Sequence, residues 1–351
     1  MKESRRQSKR AVMDRLLLLH FASLFLLFSA FAIPLAGSQG IGVNYGMKGD
    51  NLPSPTQVIS LYKSRNISKL RLFDPDTAAL GALQNSGIGI ILGTYNEDLE
   101  KFAGDPSAAS SWVHSYIIPY TSTVEFRFID VGNELIPGDT AAYVLPAMRN
   151  IAAALSSAGV HIPVTTAVST KVLENSFPPS QGAFSYEASQ VLGPIISFLA
   201  SNGSPLLVNV YPFFAYSGDP NGVGLDYSLF TANDTVVQDG SLGYSNLFDA
   251  MVDSVYSAIE RLDGTGVGVV VSETGWPSAG GETGATVDNA RIYNNNLVKH
   301  VKKNGGTPKW PGKQLEVYMF AMFNENQKLA GIERNFGLFY PDMTEVYHVN
   351  F

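Results

Sequence analysis

No cysteine occurs among the 351 residues, so neither a disulfide nor a thiolate contributes to stability or chemistry. Charge is sparse as well. Only 16% of residues are Asp, Glu, Lys or Arg while 45% are hydrophobic, a balance that excludes a disordered chain and provides for a substantial core. The five histidines are scattered, and neither His-Glu-x-x-His nor Gly-x-Ser-x-Gly is present, so the patterns of a zinc hydrolase and of a serine nucleophile elbow are both missing. Glycines at Gly264, Gly266 and Gly268 are spaced as in a phosphate loop, but they lead into an apolar strand instead of out of one toward a helix. No metal and no cofactor is expected.

Long hydrophobic runs are confined to the N-terminus. Between Lys2 and Arg15 lie six basic and two acidic residues, followed by LLLLHFASLFLLFSAFAIPLAGS. A basic flank, an apolar core and then small residues are the order of a secretory signal peptide, with cleavage expected after Ser38. An uncleaved membrane anchor is the competing reading, since Leu16 to Ala36 spans 21 residues; His20, nearby serines and the Ala-Gly-Ser exit favour cleavage. A start at Met13 would give a shorter leader of the same kind. Removing residues 1–38 takes six of 24 basic and two of 31 acidic residues, leaving 18 against 29 and a formal charge of −11. Such an acidic protein has no electrostatic footprint for nucleic acid. The remaining 313 residues can bury enough surface to fold without disulfides. Sequons at Asn66, Asn202 and Asn233 are compatible with a glycoprotein.

Eight apolar runs follow, at 41–45, 69–73, 88–94, 125–131, 163–169, 206–211, 267–272 and 315–320. They show little polar alternation, as strands covered on both faces do. Helical patterns lie between them at 55–64, 76–85, 106–116, 141–158, 185–202, 247–262 and 287–304, with Asp139-Thr140 as a start signal and Gly159 and Asn304-Gly305-Gly306 as stops. Strand and helix alternating until eight strands are counted predicts an α/β fold, a single-domain (β/α)8 TIM barrel over 39–351; a doubly wound open sheet is the alternative. The irregular zone at 212–243 follows the sixth strand, which places it on the active face as a wall of the substrate site.

Barrels place their chemistry at the carboxyl ends of strands. The fourth run, EFRFIDVGNEL, ends in Asn133-Glu134, and the seventh, in VVVSETGWPSAG, ends at Glu273. Two carboxylates facing each other across a cleft suit glycoside hydrolysis, in which one protonates the leaving oxygen and the other attacks the sugar or activates water. The bland reading of each Glu is a solvated strand end or half of a salt bridge, which for Glu134 alone stands level with function and for Glu273 stands behind it; it is the pairing that carries the inference of catalysis. The residues alone leave open which glutamate is which. Asn133 suits a sugar 2-hydroxyl or a strand-end turn.

VVVSETGWPSAG resembles the signature of the plant β-1,3-glucanases of glycoside hydrolase family 17, and the resemblance extends through IGVNYG, LRLFDPD, VGNE, NVYPFFAY, FAMFNENQK and FGLFYPD. It implies Glu273 as nucleophile and Glu134 as acid/base, with retention through a covalent glycosyl-enzyme, which requires carboxylates about 5 to 5.5 Å apart. It further implies that Glu316, Glu325 and Lys328 line and tune the site, although Glu316 reads equally as a barrel-bottom ion pair. Arg71 and Asp74 bracket the end of the second strand, where a buried Arg is expected to hold carboxylates rather than sugar. Tyr45, Tyr211, Phe214, Trp276 and Phe323 are candidate sugar platforms. Where many family members carry Cys, this chain has Asn44.

The implied substrate is a linear β-1,3-glucan such as callose or fungal wall polymer, cut internally by a monomer with no membrane attachment in the mature form. Termination at HVNF favours secretion to the cell wall space. A mixed 1,3;1,4-glucanase of the same family, a transglycosylase and a non-catalytic glucan-binding wall protein are the alternatives.

Overall fold

In a strand, successive side chains point to opposite faces, so a run that is apolar at every position is satisfied only where both faces are covered. The computed structural model, which describes residues 41–303 and 305–351, provides that cover. The expected signal peptide, residues 1–38, lies outside the described residues, as does Asn304. Counting barrel strands alone, β1 (Gly42–Tyr45), β2 (Lys69–Leu72), β3 (Gly89–Gly93), β4 (Glu125–Asn133), β5 (Val164–Ser169), β6 (Leu206–Asn209), β7 (Val269–Thr274) and β8 (Glu316–Met319) close into a barrel in chain order. Each adjacent pair is parallel, and β8 returns beside β1. All eight predicted runs are strands, and the barrel replaces the open-sheet alternative.

One parity of the strand residues, including Val43, Leu70, Ile90, Val208 and Val317, packs outward into the large core shared with the helices. The other parity fills the lumen in three levels. At the middle, Ile91, Phe128, Ala167, Leu207, Val270 and Tyr318 form a separate apolar plug. Gly42 makes room for it, because a Cβ there would overlap the Tyr318 ring. Below the plug, at the strand starts, Arg127 grips Glu316 through Nε (2.9 Å) and Nη2 (2.6 Å), the Tyr318 hydroxyl donates to Glu316 at 2.6 Å, and Lys69 approaches to 3.9 Å. Glu316 therefore does not line the site. The first residue of a parallel strand faces the amino-terminal mouth, and this carboxylate is half of a bottom ion pair. Burial pushes its carboxyl up, but Arg127 and Lys69 outweigh that and hold it below the usual range. Above the plug, at the strand ends, lie Asn44, Arg71, Asp130, Asn209, Ser272 and Glu273, all buried.

The helices at Pro55–Ser64 and Pro106–Tyr116 match their predicted spans, and the other five shift by one or two residues at one end or both. Asp76, Asp105, Ser185, Asn246 and Thr286 cap helices through their side chains. Thr140 occupies the N-cap of Ala141–Ser157 but makes no side-chain capping bond. A short helix at Leu99–Gly104 had too few residues to show a period. The zone at 212–243 contains the helix Pro212–Gly218 and one strand of a hairpin pairing Val237–Asp239 with Leu242–Tyr244.

Outside the lumen, Asp253 is fully buried in the helix Leu247–Glu260. One carboxylate oxygen accepts from the Tyr244 hydroxyl (3.0 Å) and the Lys309 amide (2.9 Å), with the Thr307 side chain also close by. Burial pushes this carboxyl up to about 6 from 3.8, against the bonds from Thr307, Lys309 and Tyr244. An acid whose pKa is raised by folding stabilises the fold fully below its unfolded pKa, and that contribution is lost as pH rises through the folded value. Between about pH 4 and 6 the loss is on the order of 3 kcal/mol. Asp253→Asn is expected to flatten this part of the stability profile, which thermal melts at pH 4 and pH 7 read directly; an unchanged pH dependence would contradict the assignment.

Candidate active site

Both strands that end in a candidate carboxylate are irregular there. The β4–β5 register shifts between Asp130 and Asn133, and the registers of β7 with β6 and with β8 shift after Val271. A shift of this kind re-aims the side chains that follow it. At the end of β4 the backbone turns sharply, with Gly132 at φ +87° and Glu134 at φ +56°. A left-handed non-glycine residue costs about 1–3 kcal/mol and persists only where its surroundings hold it. Here the Glu134 amide donates to Ala167 O (2.9 Å), Thr166 Oγ1 donates to Gly132 O (2.8 Å), and the Asn96 side chain bonds both the amide (2.9 Å) and the carbonyl (3.0 Å) of Asn133. Glu134 itself is exposed.

Glu273 is buried, at 6% exposure. Arg71 Nη1 donates to its Oε1 (2.7 Å) and the Tyr211 hydroxyl to its Oε2 (2.8 Å). From its other amino group Arg71 reaches Asp130 Oδ2 (2.7 Å) and Asn133 Oδ1 (2.9 Å), and its guanidinium lies 4.6 Å from the Phe73 ring centroid. Asn209 Nδ2 donates to both Asn133 Oδ1 (3.2 Å) and Glu134 Oε1 (2.8 Å). An unbroken chain of polar contacts thus joins the two glutamates through Asn209, Asn133 and Arg71. Burial pushes the Glu273 carboxyl above its ordinary value; Arg71 and Tyr211 pull it down, and the charge of Glu134 pushes it up. Burial, with the neighbouring Glu273, raises the Tyr211 phenol well above its usual range, so it remains a donor.

Above Glu273, Tyr211 packs edge-on against Phe214 (5.4 Å), Phe320 (6.0 Å) and Phe336 (5.8 Å). Phe214 is half exposed. Beside them Lys328 lies 4.2 Å from the Phe320 ring centroid and pairs with Glu325 Oε2 at 2.7 Å, while Glu325 Oε1 accepts from the Lys48 amide at 2.7 Å. Three other expected platforms are interior. Tyr45 shares the outward parity of Val43 and is buried at 2% exposure, its hydroxyl pushed up to about 12 by burial and then by Asp76 and Glu325. Trp276 is wholly buried, packs on Phe213 (5.2 Å) and Tyr293 (5.6 Å), and donates from Nε1 to Gly284 O (2.8 Å). Phe323 is buried against Phe339. Proximity to a strand end does not tell the cleft side of the wall from the helix side.

The family model for glycosyl hydrolases family 17 matches residues 41–351. The chain belongs to glycosyl hydrolase family 17. Among relatives of this family 17 chain, a Hordeum vulgare protein provisionally named glucan endo-1,3-beta-glucosidase GVI is 59% identical over 90% of this chain and 98% of that protein. The glucan endo-1,3-beta-glucosidase of Vitis vinifera is 51% identical over 93% and 95% of the two chains. A solved plant beta-glucan endohydrolase, from a study of two with distinct substrate specificities, shares 48% identity at a TM-score of 0.85, covering 89% of this chain and 100% of that one. Among the described residues no helix is long and apolar enough to cross a membrane.

Several groups of the candidate site carried no motif in the sequence of this family 17 chain. Asp130 and Asn209 are inward-facing residues near the ends of their strands, so applying the strand-end rule to every strand, not to glutamates alone, would have found them. Phe320 and Phe336 carry no local signal, because their contact with Tyr211 is made only when the barrel closes.

Proposed function

We propose that the protein is a retaining endo-β-1,3-glucanase in which Glu273 is the nucleophile and Glu134 the acid/base. The observation that carries this reading is the contrast between the two carboxylates. Glu273 is buried and held at each oxygen by a donor, whereas Glu134 is exposed at the cleft and tied to the same network by one oxygen. In the first step a Glu273 oxygen bonds to the anomeric carbon while the glycosidic C–O bond breaks and Glu134 gives its proton to the departing oxygen. In the second, Glu134 takes a proton from water as the water oxygen displaces Glu273. Arg71 and Tyr211 orient the nucleophile and share its charge. With Asn133 Oδ1 committed to Arg71 and Asn209, its amide nitrogen is the donor left for a sugar hydroxyl. Tyr211 and Phe214 supply the apolar platform, and Lys328, held by the buried Glu325, supplies a polar group at its edge.

The relatives' names support a 1,3 linkage and internal cleavage. Lichenase-2 of Hordeum vulgare is 48% identical, so mixed 1,3;1,4-glucan is the second substrate to weigh. The substrate in this reading is callose-type glucan, cut internally by a secreted monomer. The sequon asparagines Asn66, Asn202 and Asn233 are all exposed, as glycosylation in the secretory pathway requires. The product profile on laminarin, callose and mixed-linkage glucan tests the reading: short laminari-oligosaccharides from the first two are expected, with mixed-linkage glucan cut far more slowly. Faster cleavage of mixed-linkage glucan would reassign the linkage, products longer than the substrate would indicate glycosyl transfer, and binding without release of reducing ends would reduce the protein to a lectin.

A further inference from the structure

We propose that Asn209 is a positioning residue for the general acid: its amide, oriented by the Ser272 hydroxyl, holds Glu134 Oε1 and so commits Oε2 to the proton transfer. This rests on the reading of Glu134 as acid/base. Asn209 is the last residue of β6, 1% exposed, and its Cα pairs in register with Glu273 on β7. It is too deep to meet the sugar as a platform does, and its polar atoms are engaged by protein groups. Nδ2 donates to Glu134 Oε1 (2.8 Å) and Asn133 Oδ1 (3.2 Å), and Oδ1 accepts from Ser272 Oγ (2.8 Å). Rotating the amide by half a turn would set its oxygen against two acceptor oxygens, so the orientation is fixed by its neighbours. Ser272 is anchored in turn, its carbonyl accepting from Asn44 Nδ2 at 3.0 Å.

Glu134 stands exposed on a left-handed backbone, where an untethered glutamate would sample several rotamers. Fixing Oε1 leaves one oxygen to carry the proton. As the glycosidic bond breaks, that proton moves from Oε2 to the leaving oxygen, which keeps the bonding electron pair. Oε2 then takes a proton from water in the second step. Positioning of this kind lowers the barrier by restricting geometry before the reaction begins.

Leaving-group chemistry separates this role from a structural one. A sugar alkoxide needs the proton, whereas a dinitrophenolate leaves without it. Asn209→Leu is expected to lower kcat/KM on a laminari-oligosaccharide by roughly 10- to 100-fold, within the span of general acid catalysis. The pre-steady-state burst from a 2,4-dinitrophenyl β-laminaribioside should fall by much less, about threefold or under. Ser272→Ala should show the same split more weakly, and Ser272→Thr, which keeps a hydroxyl, should remove it. Equal losses on the two substrates, or no loss on the oligosaccharide, would overturn the proposal; a retained burst certifies the fold. Glu134→Ala is run alongside. If it shows the split and Asn209→Leu does not, the positioning role alone fails; if Glu134→Ala shows none, the acid/base reading fails first.

Discussion

Glu273→Gln is expected to lower kcat/KM on laminarin at least about a thousandfold while leaving the fold and glucan affinity intact, because it removes the covalent route and little else. The amide keeps the shape of the carboxylate, its oxygen can still accept from Arg71, and Tyr211 stays in place against Phe214, Phe320 and Phe336. The substitution should not reduce stability. In the unaltered protein one buried guanidinium serves two buried carboxylates, Asp130 and Glu273, and burial pushes both carboxyls up despite Arg71. Neutralising Glu273 leaves a one-to-one pair, so the melting temperature at pH 7 is expected to hold or rise, as is common where activity requires a strained charge arrangement. Turnover on laminarin beside a glucan-binding isotherm checks both halves, and comparable activity in the variant would contradict the assignment.

Arg71→Met carries the second large effect, and it falls on stability and activity together. Removing one partner from a buried charge cluster costs about 3–5 kcal/mol, since the charges left behind have neither water nor a counterion. With the guanidinium gone, Asp130 and Glu273 should both move further above their ordinary range. The sign of the pH dependence follows: acids raised by folding stabilise at low pH and lose that contribution as pH rises, so the variant should be most destabilised near neutrality and partly recover near pH 4–5. Activity should show the opposite slope on its acid side. The nucleophile works only when ionised, and its upward shift moves the acid limb of kcat/KM to higher pH. Urea unfolding at pH 5 and pH 7 together with a pH–rate profile reads these effects; stability like that of the unaltered protein at pH 7 would show that the carboxylates find another counterion.

Much of the architecture was written in local pattern. The strand at 267–272 could be read because Val267 and Val269 to Val271 leave no polar face, and the structure places Val271 in the outer core and Val270 in the lumen plug. Arg71 was legible as a holder of carboxylates because an arginine amid apolar strand residues requires acidic partners. What escaped depended on closure and on small backbone irregularities. Glu316 opens the strand that leads to Phe320 on the active face, and only the three-level filling of the lumen shows that its end of β8 faces the opposite mouth. Trp276 and Phe323 follow strand ends as closely as Tyr211 and Phe214 do, yet the chain turns their rings into the core. The left-handed turn at Glu134 also left no trace in the sequence, since VGNEL reads simply as a strand end.

The most direct test of the two-glutamate route is to trap the sugar on the enzyme. Incubation with a 2-deoxy-2-fluoro laminaribiosyl donor bearing a dinitrophenyl leaving group, followed by proteolysis and mass spectrometry, should find the fluorosugar ester on Glu273. Label on Glu134 or another residue, or release of the inverted hemiacetal with no protein label at all, would contradict the route.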